Sequence, residues 1–195
     1  MTKRSRHLHQ RRRGFTMIEA LMAVTFISVT GAALLTSISA SVRSSTQAAR
    51  TTLAEGLANQ LMEEIAATGY PNGMLIADSS TDRSLYNDID DFVSWSASPP
   101  ETRTGTPIGT EGYWSGGSEI PRPAQMRPDD RLMSRLTRSV VVERVEPDAG
   151  TQWNVVPQHT GYRRVTVRVH YTDPNGVMIP LAEVTRIFSN VPVSS

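Results

Sequence analysis

The 195-residue chain predicts an α+β protein, one long N-terminal helix packed on a C-terminal antiparallel β-sheet. Three observations predict it. Ala20–Val42 is a run of 23 residues without a charge. From Leu53 to Ala66 apolar residues recur at helical spacing, and no proline precedes Pro71. Beyond Leu132, β-branched residues alternate with polar ones at the period of a strand.

The first element is a basic arm. Residues 1–13 hold six cations, Lys3, Arg4, Arg6, Arg11, Arg12 and Arg13, and no acid. Of the 20 basic residues that leaves 14, all arginine, against 19 acids, so Gly14–Ser195 carries a net charge of −5. A basic arm alone suits nucleic acid, but the body has no basic patch interleaved with aromatics, and no nucleic-acid partner is expected. The chain has no Cys, which excludes disulfides, cysteine zinc sites and thiol catalysis.

The apolar half of the helix, residues 15–42, comes next. Twenty-three helical residues rise about 34 Å, enough for a hydrocarbon core of roughly 30 Å. The preceding cations place residues 1–13 in the cytoplasm and the C-terminal body outside, so a single pass through the inner (cell) membrane is expected. A cleaved secretory signal fits poorly, because Ile38-Ser39-Ala40 is a weak small-residue site. Arg12-Arg13-Gly14-Phe15 partly matches a twin-arginine signal, but Glu19 sits where such signals are uncharged. An acid at this depth is costly and calls for a partner.

Residues 43–69 form the amphipathic half of the helix. Leu53, Leu57, Leu61 and Ile65 make one ridge and Ala54, Ala58, Met62 and Ala66 the next, with Arg50, Glu55, Gln60, Glu63 and Glu64 mostly on other faces. Gly69-Tyr70-Pro71 stops the helix, which from Phe15 to Ala67 would be about 80 Å long. Residues 72–130 form an irregular Pro/Gly-rich region with six of the twelve prolines between Pro99 and Pro128. Asp78, Asp82, Asp88, Asp90 and Asp91 cluster in its first part; Asp88, Asp90 and Asp91 could ligate Ca²⁺, but capping and solvation account for them better and no metal is expected. Trp95 is expected to pin this region onto the sheet, with a partner-facing patch including Trp114 as the alternative.

Residues 131–195 carry the antiparallel sheet. Ser139–Glu146 is rich in β-branched residues. In Arg163–Tyr171, Val165, Val167, Val169 and Tyr171 face one way and Arg164, Thr166, Arg168 and His170 the other. Asp173-Pro174-Asn175-Gly176 is a turn, Val177–Phe188 returns, and Gln152–Val156 is a shorter fourth strand. One face should lie on the helix and one in water; Arg164, Arg168 and His170 on the wet face suit either solvent or an acidic partner. No catalytic set or cofactor motif emerges, and no enzyme activity or cofactor is expected: H-E-x-x-H and G-x-S-x-G are missing, and Gly105, Gly109 and Gly112 lack the lysine of a phosphate loop.

The junction Arg11-Arg12-Arg13-Gly14-Phe15-Thr16-Met17-Ile18-Glu19-Ala20 resembles the prepilin signature of type IV pilins and type II secretion pseudopilins. The resemblance covers residues 11–42. It implies a pilin-like fold, a cytoplasmic leader peptide (residues 1–14) cut off between Gly14 and Phe15 by a prepilin peptidase, N-methylation of Phe15 by the same enzyme, and a helix that stays with the product. It implies that Glu19 serves assembly by meeting the new amine of a neighbouring subunit, since opposite charges in an apolar surrounding each need the other. The implied partners are the peptidase/methylase, other pilins or pseudopilins and an inner-membrane assembly platform, and the implied destination is a pilus or pseudopilus. Leu57–Ile65 also resembles I-type minor pseudopilins of type II secretion and pilV-like minor pilins. Many members have proline at the position of Thr36 and a disulfide in the C-terminal region; their absence here leans toward a minor subunit. The alternatives are a bitopic, membrane-anchored extracytoplasmic binding module with no filament role and a secreted enzyme exported by the twin-arginine route.

Overall fold

A computed structural model describes residues 15–71, 82–115, 118–120, 122–150 and 152–190. The leader with Gly14, and Asp78, lie outside the described residues, and so does the side chain of Trp114. The fold is α+β, with one 50-residue helix, α1 (Met17–Ala66), ahead of an antiparallel sheet. The chain forms two compact units, one reaching Gln47 and one from Ala48 to the C-terminus.

In the second unit the ridges expected on α1 are buried at Ala54, Leu57, Ala58, Leu61, Met62 and Ile65, while Leu53 at the start is half-buried and Ala66 at the end is exposed. They pack on β4 (Leu136–Pro147) and β6 (Tyr162–Thr172) through Leu136, Val140, Val142, Val165, Val167 and Val169. β4 pairs with β6, and β6 with β7 (Met178–Ser189), all antiparallel. β5 (Trp153–Val155) pairs with the end of β4. The alternation expected along β6 therefore holds, with its valines on the helix side. Gly176 supplies the positive φ, +83°, that the β6–β7 turn needs, and the Gly176 N–H donates to the Asp173 carbonyl at 3.1 Å.

The described residues between α1 and the sheet carry only short elements, and they are not separate from the sheet. Among them Ser96–Ala97 form a short edge strand, β1, on β4. A strand of two residues leaves no periodic signal, which is why sequence reading misses it. Two further short strands, β2 (Tyr113–Ser115) and β3 (Ser118–Ile120), pair only with each other. A one-turn helix, α2 (Asp130–Met133), leads into β4. Trp95 does fasten the loop: its side chain is buried, and its carbonyl accepts from the Val140 N–H at 2.9 Å.

Candidate functional site

The apolar half of α1 is the first candidate. From Phe15 to Val42 every large apolar side chain is more than half exposed, Phe26 at 65% and Leu35 at 68%. A continuous apolar surface of this kind is not stable in water and needs lipid or other helices around it. The polar residues of the stretch are adapted to such surroundings. The hydroxyls of Thr25, Ser28, Thr30, Thr36 and Ser39 each donate at 2.8 Å to a carbonyl one turn back. A hydroxyl satisfied within its own helix avoids the cost of an unpaired polar group in hydrocarbon. The helix is long and apolar enough to cross a membrane, as a single span or a signal sequence. An arginine at its middle should disrupt that. Ala33→Arg is expected to cost about 2.5–3.5 kcal/mol of insertion free energy, read as a fall in the membrane-inserted fraction on carbonate extraction. Unchanged insertion would mean that the stretch does not meet hydrocarbon.

At the start of this helix Thr16 and Glu19 form a reciprocal cap. The Thr16 N–H and hydroxyl both donate to Glu19 Oε2, at 3.2 and 3.0 Å, and the Glu19 N–H approaches Thr16 Oγ1 at 3.4 Å. Threonine followed by glutamate three residues later satisfies the free N–H groups of a first helical turn, and a carboxylate there meets the positive end of the helix dipole. Sequence reasoning gave Glu19 a partner outside the chain; the structure adds one inside it. The bonds all go to Oε2. Phe15, which lies within the described residues where Gly14 does not, is exposed.

The aspartate cluster is the second candidate, and its carboxylates are already engaged. Asp88 caps a 3-10 turn (Ile89–Phe92), accepting from the N–H groups of Asp90 and Asp91, while Asp91 accepts from those of Asn87 and Asp88. Burial, and then the neighbouring Asp91, raises the pKa of Asp88 above the usual aspartate range. Asp90 is buried against Arg163 of β6, Oδ1 to Nε at 2.8 Å and Oδ2 to Nη2 at 3.1 Å. Among the described residues no group of three His, Cys, Asp or Glu side chains is arranged to hold a metal.

Sequence reading missed two buried cation sites. Arg163 is fully buried, and its Nη1 also donates to the carbonyls of Thr160 (2.9 Å) and Tyr162 (3.2 Å). Arg83 and Arg138 lie at 4.6 and 5.7 Å from the centre of the Trp95 ring, and both donate to the Glu101 carbonyl. Arg83 pairs with Glu64 of α1 at 3.1 Å, and Arg138 donates to the Leu57 carbonyl at 3.1 Å. Burial first, then the like charge of Arg83, lowers Arg138 to about 10, so it stays charged at neutral pH. One signal was available: Arg138 and Arg163 share strand parity with core residues Val140 and Val165.

The wet face of the sheet is the third candidate. Arg164 is paired with Glu143 at 2.8 Å and Arg168 with Glu183 at 2.7 Å, with the hydroxyls of Thr166 and Thr185 3.0 Å apart between them. These cations are answered within the sheet, which removes the charge argument for an acidic partner. The arrangement as a whole holds a helix on a sheet and leaves one apolar helical surface uncovered. It is compatible with a pilin-like architecture. No protein-family model, curated protein or solved structure matches the chain.

Proposed function

We propose that this protein is a structural subunit, a minor pilin or pseudopilin, of a type IV pilus or a type II secretion pseudopilus, and not an enzyme. The observation that supports it most is the junction at Gly14-Phe15-Thr16-Met17-Ile18-Glu19 directly ahead of an uncovered apolar helix. A peptidase and methylase of the prepilin class cuts between Gly14 and Phe15 and methylates the new amine. The processed chain stays in the inner membrane by its helix, N-terminus inward, until an assembly platform moves it into a filament of pilins or pseudopilins. There the apolar half of α1 exchanges lipid for neighbouring helices, and packing between helices takes the place of packing against acyl chains. The unit beginning at Ala48 is carried on the outside.

A second reading has an observation of its own. The Thr16–Glu19 cap gives Glu19 a role in any helix, so a simple bitopic anchor bearing a binding module also accounts for it. The N-terminus of the protein recovered from membranes separates the two. Mass spectrometry is expected to find a chain beginning at N-methylated Phe15; a chain retaining its leader would remove the filament reading. Gly14→Glu tests the same step from the other side. Glycine lets the backbone lie extended without a side chain in a protease cleft. The variant should accumulate uncut in the membrane, visible as a slower band, and normal cleavage would exclude Gly14 from the reaction.

A further inference from the structure

We infer that the second unit holds an internal water-binding site where α1, the loop around Trp95 and β4 meet, with water bridging the Glu64 carboxylate to the Arg83 guanidinium.

Three charged side chains converge there from three parts of the chain. Glu64 comes from α1, Arg83 from a 3-10 turn (Arg83–Leu85) and Arg138 from β4. The protein answers only part of what they offer. Arg83 gives one nitrogen, Nη2, to Glu64 Oε2 at 3.1 Å and to the Glu101 carbonyl at 3.2 Å. Arg138 gives Nη1 to the Leu57 carbonyl at 3.1 Å and Nη2 to the same Glu101 carbonyl. Glu64 Oε1, Arg83 Nε, Arg83 Nη1 and Arg138 Nε are buried with no protein partner. Among the described residues such atoms otherwise occur singly, on Glu111, Arg144 and His170. Here four gather on side chains linked by a shared acceptor. The Trp95 ring beside both guanidiniums has no lone pair with which to accept from them.

Arg83 and Arg138 are 2% and 1% exposed, so bulk solvent does not serve them. A buried donor or acceptor without a partner carries its full desolvation penalty, and native proteins meet it with internal water or an ion. The free atoms decide which. Glu64 Oε1 needs a donor, and the three nitrogens need an acceptor. An anion suits the nitrogens but is repelled by Glu64. A metal cation suits the carboxylate but is repelled by two guanidiniums. Water donates and accepts. The reach also suits it. Oε1 and Nη1 belong to groups already joined through Oε2 and Nη2, and a water with two hydrogen bonds spans about 5–6 Å between heavy atoms. The loop is thus fastened to α1 through water as well as by direct bonds.

The test uses the full chain in detergent micelles, with nitrogen-labelled arginine, and measures rotating-frame Overhauser transfer from water to the arginine Nε–H and Nη–H protons. The sign of that transfer separates a resident water from proton exchange. Arg83→Lys and Arg138→Lys assign the signals. Transfer from a resident water is expected at Arg83, and not at the exposed Arg131. Glu64→Leu removes the carboxylate and should abolish it, whereas Glu64→Gln, which still bonds water, should retain it. If Glu64→Leu fails to fold, the wild-type and Glu64→Gln measurements still decide. No transfer at Arg83 in the wild type would overturn the inference and mean that the guanidinium closes on Glu64 through two nitrogens. Undiminished transfer in a folded Glu64→Leu protein would overturn the bridge. Anomalous density beside Arg83 and Arg138 in crystals of the full chain grown in bromide would assign the site to an anion and overturn the water assignment.

Discussion

Asp90→Ala should destabilise the unit beginning at Ala48 by about 3–5 kcal/mol, the cost of leaving one member of a buried ion pair without its counter-charge. Domains of this size are stable by only about 5–15 kcal/mol, so much of the protein should unfold at moderate temperature. The expectation follows from geometry. Asp90 is 1% exposed and Arg163 fully buried, and the two meet through both carboxylate oxygens. Alanine would leave a guanidinium in the core held only by the carbonyls of Thr160 and Tyr162 and the weaker contact to the Tyr70 hydroxyl at 3.4 Å. Asp90→Asn retains hydrogen-bonding capacity without the charge and should fall between. A double change, Asp90→Leu with Arg163→Met, removes both charges together and should recover most of the loss, because a buried pair replaced by apolar residues of similar volume is often neutral. Urea unfolding followed by tryptophan emission would report this, since Trp95 is buried in the same core. Equal midpoints for wild type and Asp90→Ala would mean that the pair contributes nothing.

This pair also marks the boundary of what the sequence makes legible. The buried stripe of α1 could be read directly, because a helix of period 3.6 needs only Leu57, Leu61 and Ile65 in line to declare its inner face. The inner face of β6 could be read from Val165, Val167 and Val169 for the same reason at period 2. Arg163 continues that alternation one step further as a charge, and parity alone places it inside. Its partner is 73 residues away in an irregular loop, where nothing local selects Asp90 over Asp88 or Asp91. Arg138 repeats the pattern on β4 beside Val140. A cation at core parity thus announces a buried counter-group without identifying it. The wet face was hidden differently. Arg164–Glu143 and Arg168–Glu183 are opposed only because of the register of β4, β6 and β7, which depends on turn geometry and on an irregularity between Val169 and His170. At the N-terminus the reverse holds: the Thr16–Glu19 cap is a short-range pattern, visible within four residues, and sequence reading passed over it by seeking a longer-range role for the acid.

Glu19→Gln should leave the helix start and leader cleavage intact and should abolish incorporation into a filament. The substitution separates two roles that alanine would confound. Glutamine serves the reciprocal cap as glutamate does, so the bonds from Thr16 survive. What is lost is the negative charge. In the proposed bundle of processed subunits the Phe15 amine would be cationic among apolar side chains, where an unpaired charge is penalised strongly and a paired one is tolerated. The cap occupies Oε2 and leaves Oε1 to turn toward such an amine. The composition makes the contact measurable. Lys3 is the only lysine, and in the proposed processing it would leave with residues 1–14, so a processed chain would retain one amine, that of Phe15. A carbodiimide that joins carboxylates to adjacent amines should therefore link Glu19 of one copy to Phe15 of the next, identified by mass spectrometry of the joined peptides. Thr16→Ala supplies the complement: it removes the cap, keeps the charge, and should reduce incorporation far less than Glu19→Gln. If Glu19→Gln enters filaments at the wild-type level, Glu19 is a cap and nothing more.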